Sequence, residues 1–256
     1  HEVSFIRVII LSLLLSILLI SCRQDTREVH EVDFTSEQEY AAADERDEDV
    51  LRVAISTVIS PRESFVYYQE MFEALSDELG VNVEFRQRGT YSEVNDMLSQ
   101  NQVDIAFICS GAYIEGFDHH ELLVVPEVNG EPYYRGYIIT NKNSDIRSFE
   151  DFRGKSFTYS DPLCFTGSLF VDSRLKEVGN NAEEFFGEII HSLSHDVSIQ
   201  MVARNIIGGA AVNGLIFEYL RKSRPEYIEE IAVLEITPPG GIPPVVNSLL
   251  MSRNLR

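Results

Sequence analysis

The sequence predicts an α/β protein of two lobes, each built on a mainly parallel sheet, with a ligand cleft between them. Three observations lead there. Short apolar runs alternate with amphipathic stretches of helical period from Leu51 to Ile236. The alternation falls into two βαβ runs, separated by extended segments at 122–128 and 133–141. The chain has 256 residues, 44% hydrophobic and 24% charged, an ordinary globular balance with room for two lobes.

Ahead of the folded part, Arg7 is followed by an apolar run, Val8 to Ile20, broken only by Ser12 and Ser16. Its length is short for a bilayer span and suits the core of a secretory signal. The run closes in Leu19-Ile20-Ser21-Cys22, which resembles a bacterial lipobox. Residues 1–22 are therefore read as a lipoprotein signal and Cys22 as the lipid anchor. Each buried methylene of such an anchor adds about 0.8 kcal/mol of membrane affinity. Residues 23–49 carry eleven acids against three Arg, a net −8. Too little of this segment is apolar to fold alone, and it reads as an acidic, flexible tether.

Leu51–Ser56 is a buried strand. Ser60-Pro61-Arg62-Glu63 has the form of a capping box, opening a helix with Phe65, Tyr68, Phe72 and Leu75 on one face that stops at Gly80. Val81–Arg86 is a strand. Thr90-Tyr91-Ser92-Glu93 is a second capping box, with a helix to about Gln100. Asp104–Cys109 is a strand running into Ser110-Gly111, where a short helix begins. The second run has a short helix at Ser148–Phe152, a strand Lys155–Tyr159, a loop Asp161–Gly167 and a helix to Glu177. Strands at Glu188–Ser192, Ala210–Val212 and Ile231–Ile236 follow, with helices at Asp196–Asn205 and Phe217–Arg221. Val245–Met251 reads as extended. Lobe 1 is then 50–139 plus a return at 237–256, and lobe 2 is 140–236.

Ligands of such sheets sit beyond the carboxyl ends of the strands, where loops become helix N-termini. Unpaired N–H groups and the dipole there hold an anion without any Arg. The loops Cys109-Ser110-Gly111, Cys164-Phe165-Thr166-Gly167 and Ser194-His195 are of this kind. The formal net charge of −20 argues against nucleic acid as a partner. It does not forbid a small anion, because charges beyond about 8 Å are screened at physiological salt. His119-His120 reads as solvated loop rather than a metal site, and neither a P-loop, an H-E-x-x-H nor a G-x-S-x-G occurs.

Tyr91-Ser92-Glu93-Val94, then 103–113, Ser160–Gly167, Ser194–Ile199 and Ala210-Ala211-Val212-Asn213, taken in that order, resemble the phosphate/phosphite/phosphonate substrate-binding proteins of ABC transporters. The resemblance spans roughly residues 50–255. It implies a type II periplasmic-binding-protein fold that closes on a small oxyanion, with no catalysis and no cofactor or metal. It implies a monomer working with an ABC permease, outside the cytoplasm at the periplasmic or cell-surface face of a membrane. Residue by residue, Tyr68 matches a family Tyr near the start of the first helix, and Ser110 lies in a loop that approaches the ligand. Asp161-Pro162-Leu163-Cys164-Phe165-Thr166-Gly167 stands where the family has Asp-Pro-x-Ser-Thr-Ser-Gly. Cys164 and Phe165 thus replace two hydroxyl donors, while Thr166 and Gly167 keep a hydroxyl and the glycine. His195 matches a family His before a helix, and Asn213 stands where many members carry Asp. The resemblance also implies a further helix beyond Arg256.

Two other readings use the same fold. One is a sensory ligand-binding domain. The other is a Cys-dependent enzyme pairing Cys164 with His195, by analogy with thiamine-pathway enzymes. Cys109 and Cys164 should border the same cleft. They read either as two separate thiols or, with the lobes closed, as a disulfide.

Overall fold

The computed structural model describes residues 50–56 and 58–254. The signal segment with Cys22 and the acidic tether fall outside the described residues. Strand β1 (Val50–Ile55) lies between β2 (Asn82–Gln87) and β3 (Ile105–Phe107), parallel to both. Strand β12 (Val245–Ser248) runs antiparallel to β3 and to β4 (His120–Val124), giving the order β2-β1-β3-β12-β4. In the second sheet β7 (Ser156–Tyr159) is parallel to β8 (Glu188–His191) and β9 (Gly209–Asn213). Strand β6 (Gly136–Asn141) is antiparallel to β9 and to β10 (Ile231–Ile236), for an order β10-β6-β9-β7-β8.

In each sheet four strands run the same way, as expected, and one, β12 or β6, runs against them. The reason is the route of the chain. A strand entering a sheet from the other lobe starts at the cleft edge, where the parallel strands end, so β6 and β12 must run the opposite way. The second sheet begins at Gly136, a few residues ahead of the expected 140. The expected extended segment at 133–141 is broken at Arg135 into β5 (Tyr133–Tyr134) and β6.

The two crossings pair with each other. Strand β5 is antiparallel to β11 (Gly240–Gly241). Thr237 N–H donates to Gly136 O at 2.9 Å, and Gly136 N–H donates to Thr237 Oγ1 at 2.8 Å. Arg135 donates to Thr237 O at 2.8 Å. This short two-stranded ribbon is the hinge.

Helix α1 (Pro61–Leu79) ends at Gly80, whose φ of 67° is left-handed and closes the last turn onto Ser76 O. The Thr90–Glu93 capping box forms as expected at the start of α2 (Tyr91–Ser99). The Ser60 box does not: the Ser60 side chain caps nothing, and its N–H is drawn across to Asp196 Oδ1 at 2.8 Å. The loop expected to reach Gly167 is already helical at Phe165. A single π turn, Phe165–Leu169, leads into α4 (Phe170–Glu177). The extended segment expected to reach Met251 ends at Ser248 and becomes a helix, Leu249–Asn254.

Each sheet is packed on both faces. On the first, Val53, Ile55 and Phe72 fill one side, while Ala54, Val94, Leu98, Ala106 and Ile108 fill the other. Cys109 and, from the opposite lobe, Cys164 belong to that second cluster.

Candidate functional site

The site is assembled where strands of both sheets end. Strand β3 leads through Cys109 into α3 (Ser110–Glu115), and β7 leads through Ser160 and Asp161 into the loop carrying Cys164. Strand β8 leads to α5 (His195–Ala203), and β9 leads through Asn213 into α6 (Gly214–Ser223).

The lobes are closed on each other by direct bonds. Tyr91 N–H donates to Asp161 Oδ2 at 3.0 Å and His195 N–H to Val58 O at 3.0 Å. Phe165 N–H reaches Cys109 Sγ at 3.5 Å. A Cβ on Gly111 would collide with the Leu163 carbonyl, and one on Gly240 with the Phe165 ring. Only glycine permits the lobes and hinge to approach this closely. The helix N-termini at Tyr91 and His195 thus give those N–H groups to protein acceptors in the closed form.

Cys164 is the electrostatic centre. Its sulfur accepts from Gly167 N–H at 3.3 Å and lies 3.4 Å from His195 Nε2. His195 Nδ1 accepts from Asn213 N–H at 3.1 Å, so the neutral ring carries its proton on Nε2, aimed at the sulfur. Cys109 is buried in the same apolar cluster as Cys164. Burial alone would raise the Cys164 thiol, but Cys109 and the His195 ring outweigh it and hold the group well below the ordinary thiol range. Cys109 moves the opposite way, through its hydrogen bond to Cys164 and through burial. The pair sheds its first proton from Cys164, the sulfur with more donors.

Around these sulfurs are hydroxyls with nothing to bond. Ser56 Oγ, Tyr91 Oη, Tyr134 Oη and Ser160 Oγ are buried and lack a hydrogen-bond partner. Tyr134 Oη is beside the Thr166 and Ser110 hydroxyls without a well-formed bond, and burial pushes its phenol well above the ordinary value. Tyr91 is pushed up by burial and then by Cys164, Cys109, Asp161 and Tyr134, which places all of these groups within electrostatic reach. An unpartnered buried hydroxyl costs about 1–3 kcal/mol, so four together mark a place built for a ligand.

Of the sequence-derived residues, the structure brings Ser110, Cys164, Phe165, Thr166, Gly167, His195 and Asn213 to this region. Several are already engaged. Ser110 Oγ donates to Gly241 O in the hinge at 2.9 Å, and Asn213 Oδ1 caps α6 by accepting from Leu215 N–H at 2.8 Å. Tyr68 is elsewhere. Its ring packs on Phe72 and Phe107, on the face of the first sheet away from Cys109. Tyr91 and Tyr134 are the residues sequence reading missed. Tyr91 directly follows a helix cap and Tyr134 opens the crossing strand, so position was the available signal.

A family model described as ABC transporter, phosphonate, periplasmic substrate-binding protein matches residues 53–256. A curated relative, the phosphate-import protein PhnD of Mycolicibacterium smegmatis, is 29% identical over 118 residues, which are 44% of this chain and 37% of that protein. The match thus spans well under half of that relative's length. The chain is similar in structure to a binding-protein component of an ABC phosphonate transporter from Pseudomonas aeruginosa, with TM-score 0.71 and 23% identity over 78% of this chain and 69% of that one. It is equally similar to PhnD1 of Prochlorococcus marinus in complex with methylphosphonate, with TM-score 0.71 and 18% identity over 81% and 79% of the two chains. Both likenesses establish the two-lobed fold.

Proposed function

The chain belongs to the family of periplasmic phosphonate substrate-binding proteins of ABC transporters, and from that footing we propose that it captures a small oxyanion of the phosphate, phosphite or phosphonate class and hands it to a permease. The family is one of extracytoplasmic binding components rather than enzymes, so Cys164 and His195 are not read as a catalytic dyad. The observation that carries the proposal is the set of buried hydroxyls, Tyr91 Oη, Tyr134 Oη, Ser160 Oγ and Ser56 Oγ, left without partners between the lobes. Neutral donors in a dry site suit an anion, because they solvate it without an opposing charge that would resist release.

The ligand-facing set in this reading is Tyr91, Tyr134, Ser160 and Thr166, with Ser110, Gly167 and His195 alongside. Cys164, Phe165 and Asn213 shape the pocket. The apolar Leu163 and Phe165 beside the donors favour a compact ligand. We read the receptor as a monomer held at the membrane by lipid on Cys22.

Titration calorimetry of the reduced protein with phosphate, phosphite, methylphosphonate and sulfate tests the reading. Saturable heat with at least one phosphorus oxyanion, and none with sulfate, is the expected result. Absence of heat with all of the phosphorus oxyanions would overturn it.

A further inference from the structure

Cys109 and Cys164 stand on different lobes, and their side chains meet only because the lobes are closed. Phe165, the residue after Cys164, donates its N–H to Cys109 Sγ at 3.5 Å. Both residues are buried in one apolar cluster. Both are free thiols in this structure. Anion capture in the form proposed above does not need a thiol at either place.

We propose that Cys109 and Cys164 form a reversible disulfide across the cleft, which locks the two lobes in the closed form. The bond rests on the geometry of the two thiols. Its effect on ligand exchange rests on the solute-binding reading.

The chemistry is thiol–disulfide exchange with a small-molecule disulfide as the oxidant. In the open form the Cys164 thiolate attacks one sulfur of the oxidant. A mixed disulfide forms, the oxidant's S–S bond breaks, and the first half departs as a thiolate. Closure brings Cys109 to that mixed disulfide. Its thiol gives its proton to the departing thiolate, attacks the Cys164 sulfur and expels the second half. One protein thiolate and one protein thiol are oxidised to one disulfide, and the oxidant's disulfide is reduced to one thiolate and one thiol. His195 and Gly167, on the same lobe as Cys164, stay beside its sulfur when the lobes open and suit it to be the attacking one, leaving Cys109 as the resolving one.

A disulfide draws its sulfurs to about 2.05 Å, a separation the open lobes cannot offer. The oxidised receptor therefore holds its closed form whether or not a ligand is inside. Hinge motion about β5 and β11 returns only after reduction.

The full chain treated with oxidised glutathione, then alkylated under denaturing conditions and digested, decides the matter. The expected product is a peptide pair linking Cys109 to Cys164, with both thiols recovered after dithiothreitol. In solution scattering the oxidised chain should be compact without added phosphate and unchanged by it, whereas the reduced chain compacts when phosphate is added. Recovery of both cysteines in alkylated form, glutathione retained on Cys164 alone, or pairing of either with Cys22 would each overturn the lock. So would a cross-linked chain that scatters as the open form. Should the reduced chain ignore phosphate, the failure belongs to the solute-binding reading, and the linked peptide with the compact oxidised form still decides the lock.

Discussion

The backbone N–H of Tyr91, which begins a helix on the first sheet, donates at 3.0 Å to Oδ2 of Asp161, which follows a strand of the second sheet. The other carboxylate oxygen accepts from Leu163 N–H at 2.8 Å. One side chain therefore fixes the ligand loop and ties it to the opposite lobe. Burial raises the Asp161 carboxyl above the ordinary Asp value despite these two donors. The folded form then binds more protons than the unfolded form between the ordinary and the raised value. In that window the contribution of Asp161 to stability falls as pH rises. Asp161→Asn should flatten the stability–pH curve of the reduced protein in the window just above about pH 4, as read by urea unfolding. Asp161→Ala should also weaken closure. An unchanged curve in Asp161→Asn would refute the assignment.

Tyr91→Phe and Tyr134→Phe separate binding from folding. Each removes a buried hydroxyl that has no partner. Without ligand, the variants should unfold at an equal or higher temperature than the parent. With a phosphorus oxyanion, each should lose about 1–3 kcal/mol of binding. Calorimetry and thermal unfolding read the two effects independently. Tyr68→Phe serves as the control and should leave affinity unchanged, because that ring packs on Phe72 and Phe107.

Gly111→Ala places a methyl group against the Leu163 carbonyl across the cleft. The lobes must part to accommodate it. Each lobe keeps its own core, so the unfolding transition should move little while affinity drops, by about tenfold or more for roughly 1.4 kcal/mol of lost closure. Solution scattering should show the ligand-induced compaction reduced. A variant that closes and binds as the parent does would exclude this contact from the closed form.

Cys164 should display thiolate ultraviolet absorbance at a pH where an ordinary thiol is protonated. The absorbance should vanish as pH falls through the lowered value, and the stability that the group adds should be lost over the same range. Cys164→Ser should abolish the signal. Cys109→Ala should shift the transition upward, because the group that lowers the Cys164 value is gone. A transition at the ordinary thiol value in the parent would contradict the donor set described for Cys164.

Cys22→Ser tests the anchor. Expressed with its signal segment, the parent should partition into the detergent phase and the variant into the aqueous phase or remain unprocessed. Identical partitioning of the two would eliminate the lipobox reading.

Most of the elements were legible because they follow from local rules. The capping box at Thr90–Glu93, the stop at Gly80 and the strand Ile231–Ile236 depend on side chains a few residues apart, and these formed as read. The failures have a common cause. Ser60 has a helix-cap sequence, but its N–H is claimed by Asp196, from far along the chain. Ser248 ends a strand by bonding its hydroxyl to Leu98 O, a partner no local window contains. The sheets are mainly parallel as read, but the one reversed strand in each follows from where the crossings enter, a property of the path and not of any one segment.

The sequence by itself determined the alternation of strands and helices, the resemblance to oxyanion receptors, and a candidate site at strand ends with Cys164, Thr166 and His195. Tertiary structure alone decided which tyrosines belong to that site. Tyr68 has the sequence position of a ligand residue and is turned onto the far face of its sheet, while Tyr91 and Tyr134 bring unpartnered hydroxyls to the cleft. It also decided that Cys109 and Cys164 meet. Periodicity assigns a residue to a face within its own element, but whether a hydroxyl finds a partner, or a thiol another thiol, depends on atoms brought together by the closing of two sheets distant in sequence.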